Sequence, residues 1–265
     1  MARQKLGQHF LGNPAWQKRI LETLPRDPDD VWLEIGSGHG EMTHLLAGRG
    51  RRVVSIETDA RLAEELRLRI EADPAEWPEV EIVSGDVLQL DLGSLAGGGR
   101  FRVYGSLPYY ITSPILHRLF DYADQIASIH IVIQLEVAER IAARPGSRDY
   151  GYLSVACQFY ARPEIIFQIP PGAFSPPPRV TSALLRMSMP GERASLPVRD
   201  EGKFLDFVQR CFSQKRKTLR NNLRAIASDD RIHSALEACA LRPDARAEQL
   251  SLEQFSSLFA AIGGK

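Results

Sequence analysis

The chain of 265 residues carries no net charge, with 33 Lys and Arg against 33 Asp and Glu. A uniformly basic surface is therefore excluded, and any affinity for nucleic acid must come from local patches. Cysteine is scarce. Cys157, Cys211 and Cys239 lie far apart and match no metal-ligand or disulfide spacing, which fits a reducing cytosol. No run approaches the ~18 apolar residues of a membrane span. The N-terminal MARQKLGQHFL is polar and lacks the apolar centre of a signal peptide, so a cytoplasmic location is expected. There is no internal repeat, no long low-complexity tract and no Gly-Lys-Ser/Thr phosphate loop. The 44% of apolar residues suffices for one large domain, or for one domain plus a small appendage.

The stretch that organises the chain is EIGSGHGE, residues 34–41. Val31-Trp32-Leu33 before it reads as a short buried strand, and Met42, Leu45 and Leu46 after it begin a helical apolar face. Strand, glycine turn and helix form the entry to a nucleotide-binding crevice. The spacing is G-x-G-x-G, whereas a dinucleotide fingerprint reads G-x-G-x-x-G. Glu34 before the glycines resembles the first motif of S-adenosylmethionine-dependent methyltransferases. A plain tight turn remains an alternative on this stretch alone.

Residues 1–13 hold Arg3, Lys5, Gln8, His9 and Phe10. Their charge reads first as a solvated tail, and second as a phosphate-contacting arm. Helical spacing follows over 14–24. The segment 52–57 is a second strand ending in Glu57, 21 positions after Gly36. A carboxylate there can accept from both ribose hydroxyls of a nucleoside, or can be a surface group at a strand end. Residues 80–84 are a third strand closed by Gly85-Asp86, where Asp86 could accept from an adenine amino group. Residues 101–105 are a fourth strand, opening into Ser106-Leu107-Pro108-Tyr109-Tyr110, and 128–134 are a fifth. Strands alternating with helices predict a mostly parallel, doubly wound α/β sheet with its ligand at the C-terminal strand ends. Helix is expected at 152–160, and strands at 163–169 and 180–187. Between those strands the prolines of PPGAFSPPPRV stiffen a loop carrying Phe174, which either stacks on a nucleobase or tucks under its own loop.

Met189–Pro197 reads as a linker, and the remainder as a small all-helical domain. Phe204, Phe207, Val208, Cys211, Phe212, Leu219 and Leu223 follow helical spacing on one face. Arg210, Lys215, Arg216, Lys217, Arg220 and Arg224 fall within fifteen positions, with no acid between Asp206 and Asp229. That stripe favours phosphate contacts over a merely solvated face. The expected division is 1–189 and 190–265.

Seven stretches in order resemble the ribosomal RNA adenine dimethyltransferase family: GQHFL (7–11), EIGSGHGEMT (34–43), IETD (56–59), GD (85–86), SLPYYITSPIL (106–116), AFSPPPRVTSAL (173–184) and QKRKTLRNNL (214–223). The resemblance covers almost the whole chain. It implies a Rossmann-like methyltransferase sheet with a helical C-terminal domain that binds rRNA through Lys215, Arg216, Lys217 and Arg220. It implies an S-adenosylmethionine site lined by His9, Leu11, Gly36, Glu57, Asp86 and Ser106, with no metal. Tyr109 and Phe174 would hold the target adenine, and the Ser106 side chain with the Leu107 carbonyl would accept hydrogen bonds from its amino group. The implied partner is the small ribosomal subunit and its 16S rRNA, and the implied state a monomer.

Two positions depart from the family pattern. Asn usually stands at the position of Ser106, and often at that of His9. Ser106 motivates the alternative of a ribosome-assembly factor with weak or lost methyltransferase activity. A DNA adenine methyltransferase fits SLPYY loosely but not the QKRKTLRNNL tail. The glycine spacing disfavours an NAD-dependent oxidoreductase.

Overall fold

Val31–Ile35 is buried along its whole length, the mark of a strand covered on both faces. In a computed structural model, which describes residues 9–108 and 110–263, this segment is β1. It is joined by β2 (Arg52–Glu57), β3 (Val80–Ser84), β4 (Phe101–Ser106), β5 (Ile126–Gln134), β6 (Arg162–Ile169) and β7 (Ser182–Ser188). The order across the sheet is β3-β2-β1-β4-β5-β7-β6. The ladders from β3 through β5 are parallel, and β7 runs antiparallel to β5. The expected doubly wound, mostly parallel sheet is thus present.

The connections are helical. The segment α1 (Pro14–Thr23) precedes β1, α2 (Glu41–Leu46) and α3 (Ala60–Ala72) flank β2, α4 (Leu92–Leu95) and α5 (Thr112–Phe120) flank β4, and α6 (Leu135–Ala142) and α7 (Tyr152–Tyr160) follow β5. Local chemistry sets their starts. Asn13 caps α1 by accepting from the Ala15 N–H at 3.0 Å, with Pro14 at the first helical position. Asp59 caps α3 through the Arg61 N–H at 2.9 Å. Strand order runs outward from β1 in both directions, toward β2 and β3 on one side and β4 and β5 on the other. The crevice between the C-terminal ends of β1 and β4 is the topological switch point, where such sheets bind ligands.

The core on one face of the sheet brings Trp32, Tyr104, Val132 and Leu184 against Ile20, Met42, Leu46 and Phe174. Each such side chain stabilises the fold by roughly 1.5–3 kcal/mol. At the opposite strand ends Arg102 pairs with Asp30 and donates to Ser128 Oγ at 3.0 Å.

The chain forms two compact units. One comprises the residues through Ala138 and Glu164–Met189; the other comprises Glu139–Pro163 and the residues from Pro190 onward. The helical unit therefore takes in Glu139–Pro163, which the sequence division places in the first domain. It contains α7, α8 (Glu201–Cys211), α9 (Leu219–Leu223), α10 (Asp229–Ala238) and α11 (Leu252–Ile262). Its core is aromatic: Phe204 lies 5.1 Å from Phe159 and 5.6 Å from Phe259 between ring centroids. Ser251 and Gln254 form a reciprocal capping box at α11.

One expectation is corrected here. The helical spacing from Phe204 to Leu223 is interrupted, because α8 ends at Cys211 and α9 begins at Leu219. Asn222 supplies the reason. Its buried amide donates to the Cys211 carbonyl at 2.6 Å, taking the place of a helical bond past the end of α8, and to the Gln214 carbonyl at 3.3 Å, which also accepts from the Lys217 N–H at 2.9 Å. Lys215, Arg216 and Lys217 thus project from a turn, not from a helix face. Among the described residues no helix is long and apolar enough to cross a membrane.

Candidate active site

The turn after β1 places Gly36, Gly38 and Gly40 at positive φ. At Gly38 two constraints coincide: φ is 55°, and a Cβ would meet Phe10 Cδ1 at 2.8 Å. The Gly38 N–H donates to Glu57 Oε2 at 2.9 Å, and the Asp59 N–H donates to Glu57 Oε1 at 2.9 Å. Glu57 is thereby fixed at the end of β2. Each oxygen keeps a second lone pair, enough to accept from two vicinal hydroxyls. One strand further out, Asp86 closes β3 in a turn, accepting from the Leu88 N–H at 3.0 Å.

The arm before α1 departs from the expected solvated tail over its described part. Phe10 and Ser175 exchange backbone hydrogen bonds at 3.1 and 2.8 Å. His9 Nδ1 lies 2.7 Å from the Pro176 carbonyl. The buried Gln17 of α1 donates to the Leu11 carbonyl at 2.5 Å. The arm is thus clipped to the proline-rich loop, and Phe10 covers the glycine turn with its ring 4.6 Å from that of His39. Arg3, Lys5 and Gln8 lie outside the described residues.

Ser106 is the half-buried last residue of β4. A Cβ on Gly105 would lie 3.1 Å from the Ile35 carbonyl, so the end of β4 is held close against β1. The Leu107 N–H donates to the Val132 carbonyl at 3.0 Å, and the Pro108 carbonyl accepts from the Ile111 N–H at 3.2 Å. Tyr109 lies outside the described residues. Phe174 is buried in the core and also lines the cavity.

These elements enclose a cavity of about 270 Å³, near the lower end of the ~300–1,000 Å³ range of small-molecule sites. His9, Leu11, Gly36, Glu57, Asp86 and Ser106 all line it, with Leu107 and Phe174 beside them. Sequence reasoning did not assign Phe10, Tyr104, Val87 or Tyr110 to this wall. Tyr104 carried a usable signal, being two residues before Ser106 and so on the same face of β4. Four carboxylates (Glu34, Glu41, Glu57 and Asp86) are in the lining, and among its described residues there is no Lys or Arg. Such a wall favours a cation and repels a pyrophosphate, which disfavours a dinucleotide.

Glu34 forms the floor. It is 1% exposed and accepts from Thr43 Oγ1 at 2.5 Å and Ser55 Oγ at 2.7 Å. Burial pushes its carboxyl up to about 7, with Glu57 and Glu41 adding repulsion and the two hydroxyl hydrogen bonds opposing. A carboxyl raised on folding stabilises the protein below about pH 4.5 and withdraws that stability as pH climbs to about 7, by roughly 3 kcal/mol. Glu34→Gln is therefore expected to gain thermal stability over the wild type progressively from pH 5 to pH 8, without ligand. Melting curves that stay parallel across that range would refute this.

The basic residues of the helical unit fall into two groups. Arg220 and Arg224 both pair with Asp229, at 3.2 and 3.0 Å, and hold its carboxyl down at about 2. Arg216 and Lys217 are exposed and make no ion pair among the described residues. Lys215 donates to the Arg148 carbonyl at 2.9 Å. Lys215, Arg216, Arg148 and Arg246 line an open cleft of about 440 Å³. Arg148 and Arg246 were not foreseen as members of this cluster.

Comparison with known proteins places this geometry in context. A family described as "Ribosomal RNA adenine dimethylase" matches residues 1–263. The ribosomal RNA small subunit methyltransferase A of Acidobacterium capsulatum is 44% identical over 262 residues, covering 98% of this chain and 91% of that protein. The protein of the same name from Koribacter versatilis is 40% identical, covering 97% and 93%. Among solved structures, a dimethyladenosine transferase from Plasmodium falciparum shares the fold, with a TM-score of 0.78 at 22% identity over 96% of this chain and 98% of that one. The 23S rRNA methyltransferase ErmE aligns with a TM-score of 0.68 at 29% identity, over 96% and 99%.

Proposed function

This chain belongs to the ribosomal RNA adenine dimethylase family, and from that premise we propose that it transfers methyl groups from S-adenosylmethionine to the 6-amino groups of two adjacent adenosines in 16S rRNA. The observation that carries the reading is the acidic cavity at the switch point, open to Ser106 and without Lys or Arg among its described lining. A ligand bearing a sulfonium and an ammonium suits that wall. The relatives named for the small subunit are also more similar to this chain than ErmE, a 23S enzyme, is. Action on the small ribosomal subunit, in the cytoplasm and as a monomer, is part of the proposal.

Bound S-adenosylmethionine supplies a methyl group already activated for displacement. The residues of the chain have to place an adenine nitrogen in line with it. Such positioning contributes on the order of 7–11 kcal/mol to a two-reactant step. Glu57 is set to hold the ribose hydroxyls and Asp86 the adenine amino group of the donor. Ser106 Oγ and the Leu107 carbonyl are set to accept from the target amino group, drawing its lone pair out of the ring and toward the methyl. As the nitrogen–carbon bond forms, the carbon–sulfur pair returns to sulfur and the surplus amino proton leaves to solvent. Phe174 supplies an aromatic face for the base, in the manner of enzymes that act on an unstacked nucleotide.

The test is transfer of labelled methyl groups to small subunits lacking adenine dimethylation, followed by nucleoside analysis. Dimethyladenosine is the expected product. Tight subunit binding without incorporation would instead establish the assembly-factor alternative.

The turn at Lys215–Lys217 is proposed as the phosphate-contacting surface. Replacing Lys215, Arg216 and Lys217 together by Ala is expected to lower the slope of log K against log salt by about 3, near 1 per lost contact. Arg220→Ala is expected to change it far less, since Asp229 already occupies that guanidinium. Filter binding to naked 16S rRNA across a salt series reads both. An unchanged slope in the triple variant would remove the turn from the interface.

A further inference from the structure

Among the described residues, four large apolar side chains stand out from the surface: Leu68, Tyr110, Val180 and Ile226. A lone exposed apolar side chain is ordinary and calls for no partner. Tyr110 differs in its place. Of the four it alone lines the cavity, and it is also the most exposed, at 64%. The chain climbs from the interior to this ring within a few residues: Leu107 is buried, Pro108 half-buried and Tyr110 exposed. The ring therefore stands at the cavity mouth, while Ser106 and Leu107 lie further in.

Its mount is stiff. Proline fixes φ at position 108, and the Pro108 carbonyl accepts from the Ile111 N–H at 3.2 Å and from Thr112 Oγ1 at 3.3 Å. Thr112 is buried at the start of α5, and the buried Ile115 donates its N–H to the Ile111 carbonyl at 3.1 Å. The turn is thus tied to the helix that follows it. The Tyr110 side chain itself makes no hydrogen bond or ring contact among the described residues. An exposed aromatic on an ordered backbone loses little freedom when a flat partner covers it.

Charge and chemistry say what that partner is. The cavity wall carries four carboxylates and, among its described residues, no Lys or Arg. An RNA strand at the mouth therefore finds no phosphate partner on this wall, and a neutral contact has to hold it there. A π face serves, since every base can stack on one. A nucleotide drawn out of its stack leaves its neighbour with one face bare. Phe174, buried in the cavity wall, is assigned to the target base. Tyr110 at the mouth is left for the next one. We infer that the Tyr110 ring stacks on the nucleobase beside the target, the second adenine of the proposed pair, and holds it at the mouth while the first is methylated. The inference rests on the rRNA adenine reading above. The ring touches the substrate away from the reacting atoms, so its loss removes binding that ground state and transition state share, which raises KM and spares kcat.

Methyl transfer to small subunits lacking adenine dimethylation tests this, with the full chain and three proteins: wild type, Tyr110→Ala and Tyr110→Phe. Tyr110→Ala is expected to raise KM for the subunit about tenfold, the loss of one base–aromatic stack, with kcat within about twofold. Tyr110→Phe keeps the ring and is expected to restore KM. A second substrate set isolates the stacked base: subunits assembled on 16S rRNA in which each of the two adjacent adenosines in turn is replaced by uridine. A pyrimidine offers a smaller face, so wild type and Tyr110→Ala should there differ by less than about threefold. Filter binding supplies Kd for any of these subunits that is not turned over. An unchanged KM in Tyr110→Ala, a full tenfold difference that persists on the uridine subunits, or a failure of Tyr110→Phe to restore KM would each overturn the inference and leave the methyltransferase reading intact. So would a fall in kcat at constant KM, which would put the ring on the target base itself. A wild type that methylates no subunit would remove the methyltransferase reading and this inference with it.

Discussion

Glu57→Ala is expected to lower the affinity for S-adenosylhomocysteine by two to three orders of magnitude. The side chain serves the ligand and the loop at once. Its two oxygens are placed for the ribose hydroxyls, and hydrogen bonds to a charged group contribute ~1.5–3 kcal/mol each. At ~1.4 kcal/mol per tenfold, the pair alone accounts for that range. The same oxygens accept from the Gly38 and Asp59 N–H groups. Truncation leaves both donors without acceptors, at ~1–3 kcal/mol for the buried Gly38 N–H and less for the part-buried Asp59 N–H, so a fall in Tm should accompany the loss of binding. Glu57→Gln keeps one acceptor and should lose about half as much affinity on a logarithmic scale. Calorimetric titration and thermal melting separate the two effects. Affinity within threefold of wild type in Glu57→Ala would show that the ribose is held elsewhere.

Local pattern made much of this site legible. Gly36, Gly38 and Gly40 mark a turn that only glycine fits easily, and the run Val31–Ile35 marks the strand that delivers it. The spacing from Gly36 to Glu57 follows from one crossover helix between adjacent parallel strands. Features set by distant contacts were not legible. The clip of Phe10 on Ser175 joins segments 165 positions apart, so the arm reads as a tail until the loop is placed over it. The break after Cys211 depends on the Asn222 side chain reaching back to two carbonyls, and apolar periodicity continues through it regardless. Asp229 neutralises part of the basic stripe from beyond its end, which a count of acids between Asp206 and Asp229 overlooks. Glu34 was visible as a motif residue, yet its place beside Tyr104 exists only in the register of β1 against β4.

Ser106→Ala is expected to reduce kcat for methyl transfer about 10–100-fold while leaving KM for the donor within about twofold. An acceptor that engages the amino protons most strongly as the nitrogen attacks lowers kcat and kcat/KM together when lost, and one charge-assisted hydrogen bond is worth ~1.5–3 kcal/mol. The backbone at this position is well fixed. Gly105 is pressed to the Ile35 carbonyl, and the Leu107 N–H is held by Val132, so the variant should change chemistry and not placement. The Leu107 carbonyl remains as the second acceptor, which is why the loss is bounded. Ser106→Asn restores the residue usual in the family, with a longer reach and an amide oxygen as the acceptor. It should raise the fraction of dimethylated over monomethylated adenosine at equal extent of reaction, because the second transfer involves an amine with one proton fewer to hold. Nucleoside analysis over a time course gives both rates. Wild-type kcat in Ser106→Ala would place the acceptor role on the Leu107 carbonyl alone, and make the serine a tolerated substitution instead of a working group.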